Sequence, residues 1–327
     1  MPKWLRIGLA ALAAALLLVL VGPYLIPLPA QPDLAPEALA PADGRFLEAA
    51  GTRTFIQEAG PAAGPAVVLV HGFGGLTYSW RATVPALAAA GYRVLALDLP
   101  GFGLSDKRFT WDYTHPAQAD FVAAVMTAVG IDRAVLVGHS LGGSVIAHVA
   151  QRHPERVAAL VFVDGAVRTP DAARGGGVFG LPPLAGALAE FPPLQRWGQL
   201  ALRVFVSRER MAALQLSAYA LKDVVTPEVE EGYLKVLRIK DWDLALLGVV
   251  RDSGGNTLAE PLATITAPTL VVWGERDPWI PLEAGQALHA GLPQSQLAVI
   301  PAVGHLPMEE APEAFNATVL AFLETLP

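Results

Sequence analysis

A tight turn between an apolar strand and a helix is the feature that most constrains this chain. Residues 134–137 read Ala-Val-Leu-Val, a typical buried strand, and run straight into the Gly-x-Ser-x-Gly pattern of residues 138–142. The segment after it, residues 141–150, reads as a helix whose start points at the serine. Such a turn has no room for bulky side chains on either side, so glycine is needed at its ends. The pattern predicts an α/β sheet with Ser140 exposed at its edge.

Ser140 is therefore a candidate nucleophile, although a glycine-rich turn without chemistry would show the same local pattern. A serine hydroxyl is a poor nucleophile at neutral pH. It needs a base, an acid that orients the base, and hydrogen-bond donors for the oxyanion. The amides at the start of the following helix can supply part of the last requirement.

Oxyanion donors are expected from the loop that follows another apolar strand. Residues 65–70 are a buried-strand run, and residues 71–75 continue as His-Gly-Phe-Gly-Gly. Glycine lets this backbone approach a ligand closely, so the amides of Phe73 and Leu141 are the expected donor pair. His71 precedes the serine, whereas the base is expected after it, and we interpret His71 as a residue that braces the loop.

The acid and the base are expected in two later loops. Asp277 follows the apolar strand at 269–273, and we prefer it to Glu275 because it lies farther into the loop, just before a proline. His305 follows the strand at 296–300 and is the candidate base. Four strand ends would then converge on one edge of a parallel sheet, where open α/β folds bind their ligands.

These separated motifs give the chain a clear resemblance to the α/β-hydrolase superfamily, from about residue 45 to the carboxyl terminus. They are the turn at 138–142, the segments 71–74 and 98–105, the loop ending at Asp277-Pro278, and Gly304-His305. The resemblance implies an α/β-hydrolase fold: a mostly parallel eight-stranded sheet flanked by helices, with an inserted, mainly helical cap. It also implies a triad of Ser140, Asp277 and His305, with the amides of Phe73 and Leu141 binding the oxyanion.

Asp164 remains an alternative acid, because some members of the superfamily place the acid after the strand that precedes it, here residues 159–163. Related haloalkane dehalogenases and epoxide hydrolases carry an aspartate as nucleophile, and the serine at position 140 argues against both reactions. The resemblance implies a serine hydrolase of the carboxylesterase or lipase type, cleaving an ester with an apolar acyl or alkyl part through an acyl-enzyme. A carbon-carbon bond hydrolase, a thioesterase, a cofactor-free haloperoxidase or perhydrolase, and a catalytically silent binding module stay open.

Composition narrows the possible partners. The chain has a formal net charge of −7, which offers no basic surface for nucleic acid. It has no cysteine, and its seven histidines do not fall at metal-ligand spacing with acidic neighbours. We therefore expect no metal and no cofactor, and we expect a small ester, apolar or amphiphilic, as the substrate.

The amino terminus reads as a membrane anchor over residues 1–28. Lys3 and Arg6 precede an uncharged apolar stretch that is longer than the about 20 residues a span requires. A cleaved signal peptide, and hence secretion, is the alternative, but the sequence around Ala30 is a poor cleavage site. The positive-inside rule then places the amino terminus in the cytoplasm and the catalytic domain on the outer side. Four prolines suggest a stiff extended tether over residues 29–44.

The remaining boundaries follow from changes in periodicity. Residues 45–164 form the first part of the core, starting with an antiparallel edge hairpin, and residues 262–327 form the second part. Residues 165–261 are the expected cap, with helical spacing at 208–222 and 227–250. Its first half is interrupted by Gly175-Gly176-Gly177, Pro182-Pro183 and Pro192-Pro193. Expected apolar walls of the pocket are Phe179, Leu181, Phe191, Trp197, Phe205, Tyr219, Tyr233 and Trp242.

Overall fold

A computed structural model describes residues 1–165, 167–170 and 190–326. Its centre is an eight-stranded sheet with the order β1-β2-β4-β3-β5-β6-β7-β8. The strands are β1 (Gly44–Ala49), β2 (Thr52–Ala59), β3 (Ala66–Val70), β4 (Arg93–Leu97), β5 (Ala134–His139), β6 (Val157–Val163), β7 (Thr269–Gly274) and β8 (Ser295–Ile300). Strands β3 to β8 pair in parallel, and β2 pairs antiparallel with both of its neighbours, β1 and β4. The predicted fold class and the predicted edge hairpin are confirmed.

The central strands are apolar along their whole length because helices cover both faces of the sheet. In β5 every residue is buried, and in β3 all but the first are. Continuous apolar runs are typical of parallel strands that are buried on both sides. One hydrophobic cluster lies on each face of the sheet, so the strand ends are rigidly placed.

Helices of the core flank this sheet. They are α2 (Thr83–Ala89), α3 (His115–Ala128), α4 (Leu141–Arg152), α9 (Leu282–Gly291), α10 (Pro307–Glu310) and α11 (Pro312–Leu323). Short 3₁₀ turns occupy Pro36–Leu39, Thr77–Trp80, Pro154–Arg156, Lys222–Val224, Lys235–Arg238, Ser253–Gly255 and Leu262–Thr264. Helix α4 starts directly after Ser140, as the sequence pattern predicted.

The described part of the cap is helical, but its first helix was not predicted. Its helices are α5 (Pro192–Phe205), α6 (Arg208–Ser217), α7 (Pro227–Leu234) and α8 (Trp242–Asp252). The pair Pro192-Pro193 was read as an interruption, yet it begins α5, because proline is favoured in the first helical turn, where its missing N–H costs nothing. The predicted helix at 227–250 is divided at Asp241, which has a left-handed φ of 61°. The glycine run, Pro182-Pro183, Phe179 and Leu181 lie outside the described residues.

The amino-terminal segment forms helix α1 (Lys3–Leu25), which is long and apolar enough to cross a membrane by length and composition. Residues 29–44 differ from the expected extended tether, because they pack along the cap. The Pro29 carbonyl accepts a hydrogen bond from Arg203 at 3.3 Å, and the Gln31 side chain accepts one from Trp242 at 2.6 Å. Leu34 pairs with Ile239 in a β-bridge. Arg203 and Trp242 of the cap thus hold residues 29–44 in place through hydrogen bonds.

Candidate active site

The turn at Ser140 has the geometry that its glycines predict. Ser140 has φ 50° and ψ −116°, a left-handed conformation that costs about 1–3 kcal/mol for a residue with a side chain. A Cβ at Gly138 would lie 2.4 Å from the Gly142 carbonyl oxygen, and one at Gly142 would lie 2.3 Å from that of Val70. Neither position can hold a larger residue without moving backbone, so the two glycines are required.

The structure brings His305 and Asp277 together. The Nδ1 of His305 donates to Asp277 Oδ2 at 2.7 Å, and the other carboxylate oxygen accepts from the amides of Trp279 at 2.7 Å and Ile280 at 2.9 Å. This arrangement places the proton on Nδ1 and leaves Nε2 as the acceptor. Within the described part of the chain, the buried Nε2 has no hydrogen-bond partner. It is therefore able to accept a proton from Ser140, which lines the same cavities.

The backbone of His305 is fixed from two sides. Its amide donates to the Ala218 carbonyl of the cap at 2.9 Å. Its carbonyl lies 2.8 Å from Nε2 of His139, the residue just before Ser140. The preceding Gly304 amide donates to Glu310 at 2.9 Å. The backbone of His305 is thus joined by one buried hydrogen bond to His139, the residue before Ser140.

Two buried carboxylates that sequence analysis missed join the cap to the histidine loop. Glu310 also accepts the amides of Ala220 at 2.9 Å and Leu221 at 2.8 Å. Glu309, with a side chain 1% exposed, binds Arg81 at 2.7 Å. The signal available in the sequence was the doubled glutamate shortly after His305.

Tyrosines of the cap complete the surroundings of Glu309. Tyr219 donates to it at 2.8 Å, and Tyr233 donates to it while its hydroxyl oxygen accepts from the Ser79 hydroxyl at 2.9 Å. Burial and the Glu309 charge raise the pKa of both phenols, so they remain hydrogen-bond donors at neutral pH. The cap is therefore held to the core beside the site by a charged network whose carboxylate is buried.

Asp164, the alternative acid, lies in the same place but in a different environment. Its Oδ1 accepts the Gly274 amide at 2.9 Å, and its carboxyl lies within 4.8 Å of the facing atoms of Asp277 and His305. Burial first, and then the neighbouring Asp277 charge, raise the pKa of Asp164 well above its usual value. The hydrogen bond from His305 goes to Asp277. The geometry favours Asp277 as the orienting acid, and Asp164 lies beside it with a raised pKa.

These three residues also form a group whose atoms are close enough to share a metal ion. The His305 Nδ1 proton already occupies the space between His305 and Asp277, and Asp164 is bonded to backbone. A metal held between His305 Nδ1 and Asp277 would have to displace this proton and break the hydrogen bond. The residues fit a hydrogen-bonded relay better than a metal site.

The two expected oxyanion donors lie on opposite sides of Ser140. Leu141 is the first residue of α4, where helix N–H groups have no partner within the helix. Phe73 lies in the loop after β3 and lines both cavities at Ser140. A Cβ at the adjacent Gly72 would lie 3.0 Å from Cβ of Ser140, so this loop passes very close to the serine.

His71 has contacts that agree with the predicted bracing role. Its Nδ1 donates to the Gly72 carbonyl at 2.7 Å, and its Nε2 accepts the Leu99 amide at 3.0 Å. Burial lowers the pKa of His71 to about 4, so the ring is neutral at physiological pH. Both nitrogens are engaged, and neither is directed to catalysis.

Two cavities meet at Ser140 and His305. The smaller, of about 130 Å³, is lined by core loops on one side and by cap residues on the other, among them Met211, Leu214 and Tyr233. The larger extends along α3 and α9 and also contacts His115, Gln118 and Arg168. Phe73, Leu214 and Trp279 border both. A substrate with two arms could place its reacting carbon at the serine and one arm in each cavity.

The aromatic residues expected to form the walls have more varied positions. Tyr233 lines the smaller cavity, and Tyr219 binds Glu309. Trp197 and Trp242 bond to the amino-terminal segment, and Phe191 and Phe205 are exposed. Aliphatic residues of the cap take the expected place of the aromatic ones: Met211, Leu214, Leu234, Val236 and Leu237. The sequence could not reveal this, because Trp197 and Trp242 find their partners at Val19 and Gln31 of the distant amino-terminal segment.

Comparison with known proteins places this geometry in a family. Residues 65–312 match the model of the alpha/beta hydrolase fold family. A 2-hydroxy-6-oxononadienedioate/2-hydroxy-6-oxononatrienedioate hydrolase of Burkholderia vietnamiensis is 32% identical over 262 residues, covering 79% of this chain and 86% of that protein. The chain belongs to the α/β-hydrolase family.

Solved structures of two differently named enzymes also resemble this chain. A mutant of a meta-cleavage product hydrolase superposes with a TM-score of 0.69 at 26% identity, covering 86% of this chain and 98% of the other. A membrane phospholipase A, described as a bacterial virulence factor, superposes with a TM-score of 0.71 at 26% identity, covering 99% of this chain and 98% of the other. The family, its relatives and the site agree on a hydrolase.

Proposed function

We propose that this protein is a membrane-anchored serine hydrolase that cleaves carboxylic esters with an apolar acyl or alkyl part. One observation carries the proposal: Ser140 stands on a strained turn beside the His305–Asp277 pair, and both face the same apolar cavity. A strained backbone maintained at the mouth of a cavity is typical of functional sites.

In the proposed mechanism, Ser140 Oγ attacks the ester carbonyl carbon while His305 Nε2 takes the hydroxyl proton. Asp277 keeps the other proton on Nδ1 and stabilises the imidazolium that forms. The amides of Phe73 and Leu141 donate to the oxyanion. His305 then returns the proton to the departing alcohol, and the acyl-enzyme forms. Water repeats the cycle and releases the acid.

The likeness to the membrane phospholipase A supports a lipid-like ester. That likeness covers 99% of this chain, so it takes in the amino-terminal helix as well as the hydrolase core. The walls of the smaller cavity are mostly apolar and suit an acyl chain. We propose that α1 spans the membrane with its amino terminus in the cytoplasm and the catalytic domain on the outer side; Lys3 and Arg6 at its start support this orientation.

A carbon-carbon bond hydrolase is the second candidate, and relatives with such names support it. Substrates named as dienedioates carry carboxylates, and Arg168 on the wall of the larger cavity could bind one. If this candidate is correct, Arg168→Met should abolish turnover of such acids and leave simple esters unaffected.

A graded substrate panel tests the proposal. It should contain nitrophenyl esters of increasing acyl length, a phospholipid, and a 2-hydroxy-6-oxo-dienoate. We expect Ser140-dependent hydrolysis of the esters, with a preference for apolar acyl chains. Turnover of the dienoate alone, lost in Arg168→Met, would replace the ester proposal with the carbon-carbon one.

A further inference from the structure

Most of the exposed large apolar side chains in the described part of the protein lie in the amino-terminal segment or in the cap. Outside the amino-terminal segment, the large hydrophobic residues with high exposure are Phe191, Val204, Phe205, Leu214, Leu221, Trp279 and Val299. All but Trp279 and Val299 belong to the cap, and Trp279 stacks near His305 with ring centroids 5.1 Å apart. Single exposed hydrophobic residues need no explanation, but here Val204 and Phe205 end α5 and Leu214 lies on α6, so several of them fall on two successive helices of the cap.

Helix α1 contacts this same region through α5. Trp197 donates its indole N–H to the Val19 carbonyl at 3.2 Å. Arg196 donates to the carbonyls of Pro23 at 3.4 Å and Ile26 at 3.5 Å. Gly22 is buried against Trp197: a Cβ there would lie 3.3 Å from the indole ring. The start of α5 is therefore attached to the last turns of the apolar helix.

These contacts fix the depth of α5 if α1 crosses a bilayer. A helix of 23 residues is about 35 Å long, and the hydrocarbon core is about 30 Å thick. Val19 lies six residues before the end of α1 at Leu25, which is about 9 Å along the helix axis. If α1 is centred on the core, Val19 and the Trp197 bonded to it lie about 6 Å inside the outer boundary of the hydrocarbon, just below the interface where tryptophan is favoured.

We propose that the cap docks on the outer leaflet of the bilayer that α1 spans, through a surface formed by Phe191, Val204, Phe205 and Leu214. The occupant of this surface is the lipid itself, because the surface continues directly from the apolar helix α1. This inference rests on the proposed function, since it assumes that α1 is a membrane span.

Docking would connect the lipid to the active site. Leu214 of α6 is 44% exposed, yet it also lines both cavities that contain Ser140. Trp279 borders the same cavities and is 38% exposed. An acyl chain could therefore pass from the leaflet along Leu214 to the serine without crossing bulk water. The surface would act in substrate delivery, whereas α1 alone provides attachment.

Depth-resolved labelling tests this inference in the full-length chain. The protein has no cysteine, so a single introduced cysteine can carry an environment-sensitive fluorophore at one chosen position. We would compare Phe205→Cys, on the proposed surface, with Ala62→Cys, an exposed position before β3 at the opposite edge of the sheet from Ser140. Both proteins are reconstituted in phosphatidylcholine vesicles that contain a spin-labelled, quenching phosphatidylcholine.

We expect the label at position 205 to shift to shorter wavelength and to lose emission to the quencher, and the label at 62 to do neither. Equal quenching at both positions, or none at either, would overturn the docking proposal. Hydrolysis of a soluble short ester is measured on the same samples. Quenching at 205 without hydrolysis would contradict the proposed function alone, and hydrolysis without quenching would contradict the docking alone.

A kinetic comparison gives an independent check on substrate delivery. The variant Val204→Ser/Phe205→Ser keeps α1 and all residues that line the cavities. We expect it to lose turnover of a vesicle-borne ester while keeping turnover of a soluble one, with Val299→Ser as the matched exposed control. Unchanged turnover of both esters would show that the surface has no part in delivery.

Discussion

Ser140 and His305 depend on each other for reactivity, because the hydroxyl is a weak nucleophile without a base. Ser140→Ala and His305→Ala are each expected to lower kcat for a soluble ester by several orders of magnitude. The double variant should be scarcely worse, since residues that act as a unit do not contribute additively. Circular dichroism would establish that the fold is intact. Losses that add in the double variant would contradict a shared mechanism.

The two buried aspartates should respond very differently to the loss of a carboxylate. Asp277→Asn is expected to lower turnover by about 10⁴, because His305 would lose the partner that keeps its proton on Nδ1. Asp164→Asn should have a mild effect, since Asp164 bonds to the Gly274 amide and not to His305. Steady-state kinetics of the two variants would rank them. The reverse ranking would move the acid to Asp164.

Asp164 should also make the free energy of unfolding depend on pH. Its pKa is raised in the folded state, so the folded protein keeps a proton that the unfolded chain releases above about pH 4. The free energy of unfolding then falls as pH rises from about 4 towards the folded pKa, by up to about 1.4 kcal/mol per pH unit from this group. Asp164→Asn removes that contribution.

Urea unfolding of the wild type and Asp164→Asn at pH 5 and pH 7 would measure this pH-dependent contribution of Asp164 to the free energy of unfolding. We expect the variant to gain stability relative to the wild type as pH rises. A constant difference between the two proteins would mean that Asp164 is ionised when folded.

At the scale of elements, the cap is attached through Glu309, which bonds to Tyr219 and Tyr233 of the cap and pairs with Arg81 of the core. The Glu309 side chain is 1% exposed, so removing Arg81 would leave a buried charge without its ion-pair partner. Arg81→Leu is expected to lower the free energy of unfolding by about 3 kcal/mol. Adding Glu309→Gln should restore much of the loss. Equilibrium urea unfolding of both single variants and the double variant provides the cycle, and no recovery in the double variant would contradict the role of the buried charge.

Local patterns allowed much of the core and of the candidate site to be anticipated. The strand before Ser140 and the glycines at 138 and 142 are determined by short-range sterics, which a sequence displays directly. The loops of Asp277 and His305 follow apolar strands, and parallel topology alone brings their ends to one edge. Their roles in catalysis remain predictions for the variants above.

Features that depend on contacts with residues far away in the sequence could not be predicted from local patterns. The doubled proline before α5 is compatible with either a break or a helix start, and only the context decides. Residues 29–44 have a proline-rich composition typical of an extended chain, but Arg203 of the cap binds the Pro29 carbonyl and Trp242 binds the Gln31 side chain. Glu309 and Glu310 resemble a solvated acidic pair until the cap is folded over them.

For the whole molecule, the amino-terminal segment is expected to matter for substrate supply more than for chemistry. Deleting residues 1–30 should leave turnover of short soluble esters unchanged and lower turnover of esters presented in vesicles. Kinetics on both substrates would measure this. Because α1 covers Trp197, equal loss on both substrates would mean that the segment supports the folded cap, and equal retention would limit it to localisation.

The most direct test of the central claim is active-site labelling with a fluorophosphonate, followed by intact-mass and peptide mass spectrometry. Such a reagent forms a stable bond only with an activated serine. We predict one adduct per chain, located on Ser140, with Ser140→Ala unlabelled and His305→Ala labelled far more slowly. An unlabelled wild-type protein, or an adduct that persists in Ser140→Ala, would contradict the account of this chain as a hydrolase that uses Ser140 as its nucleophile.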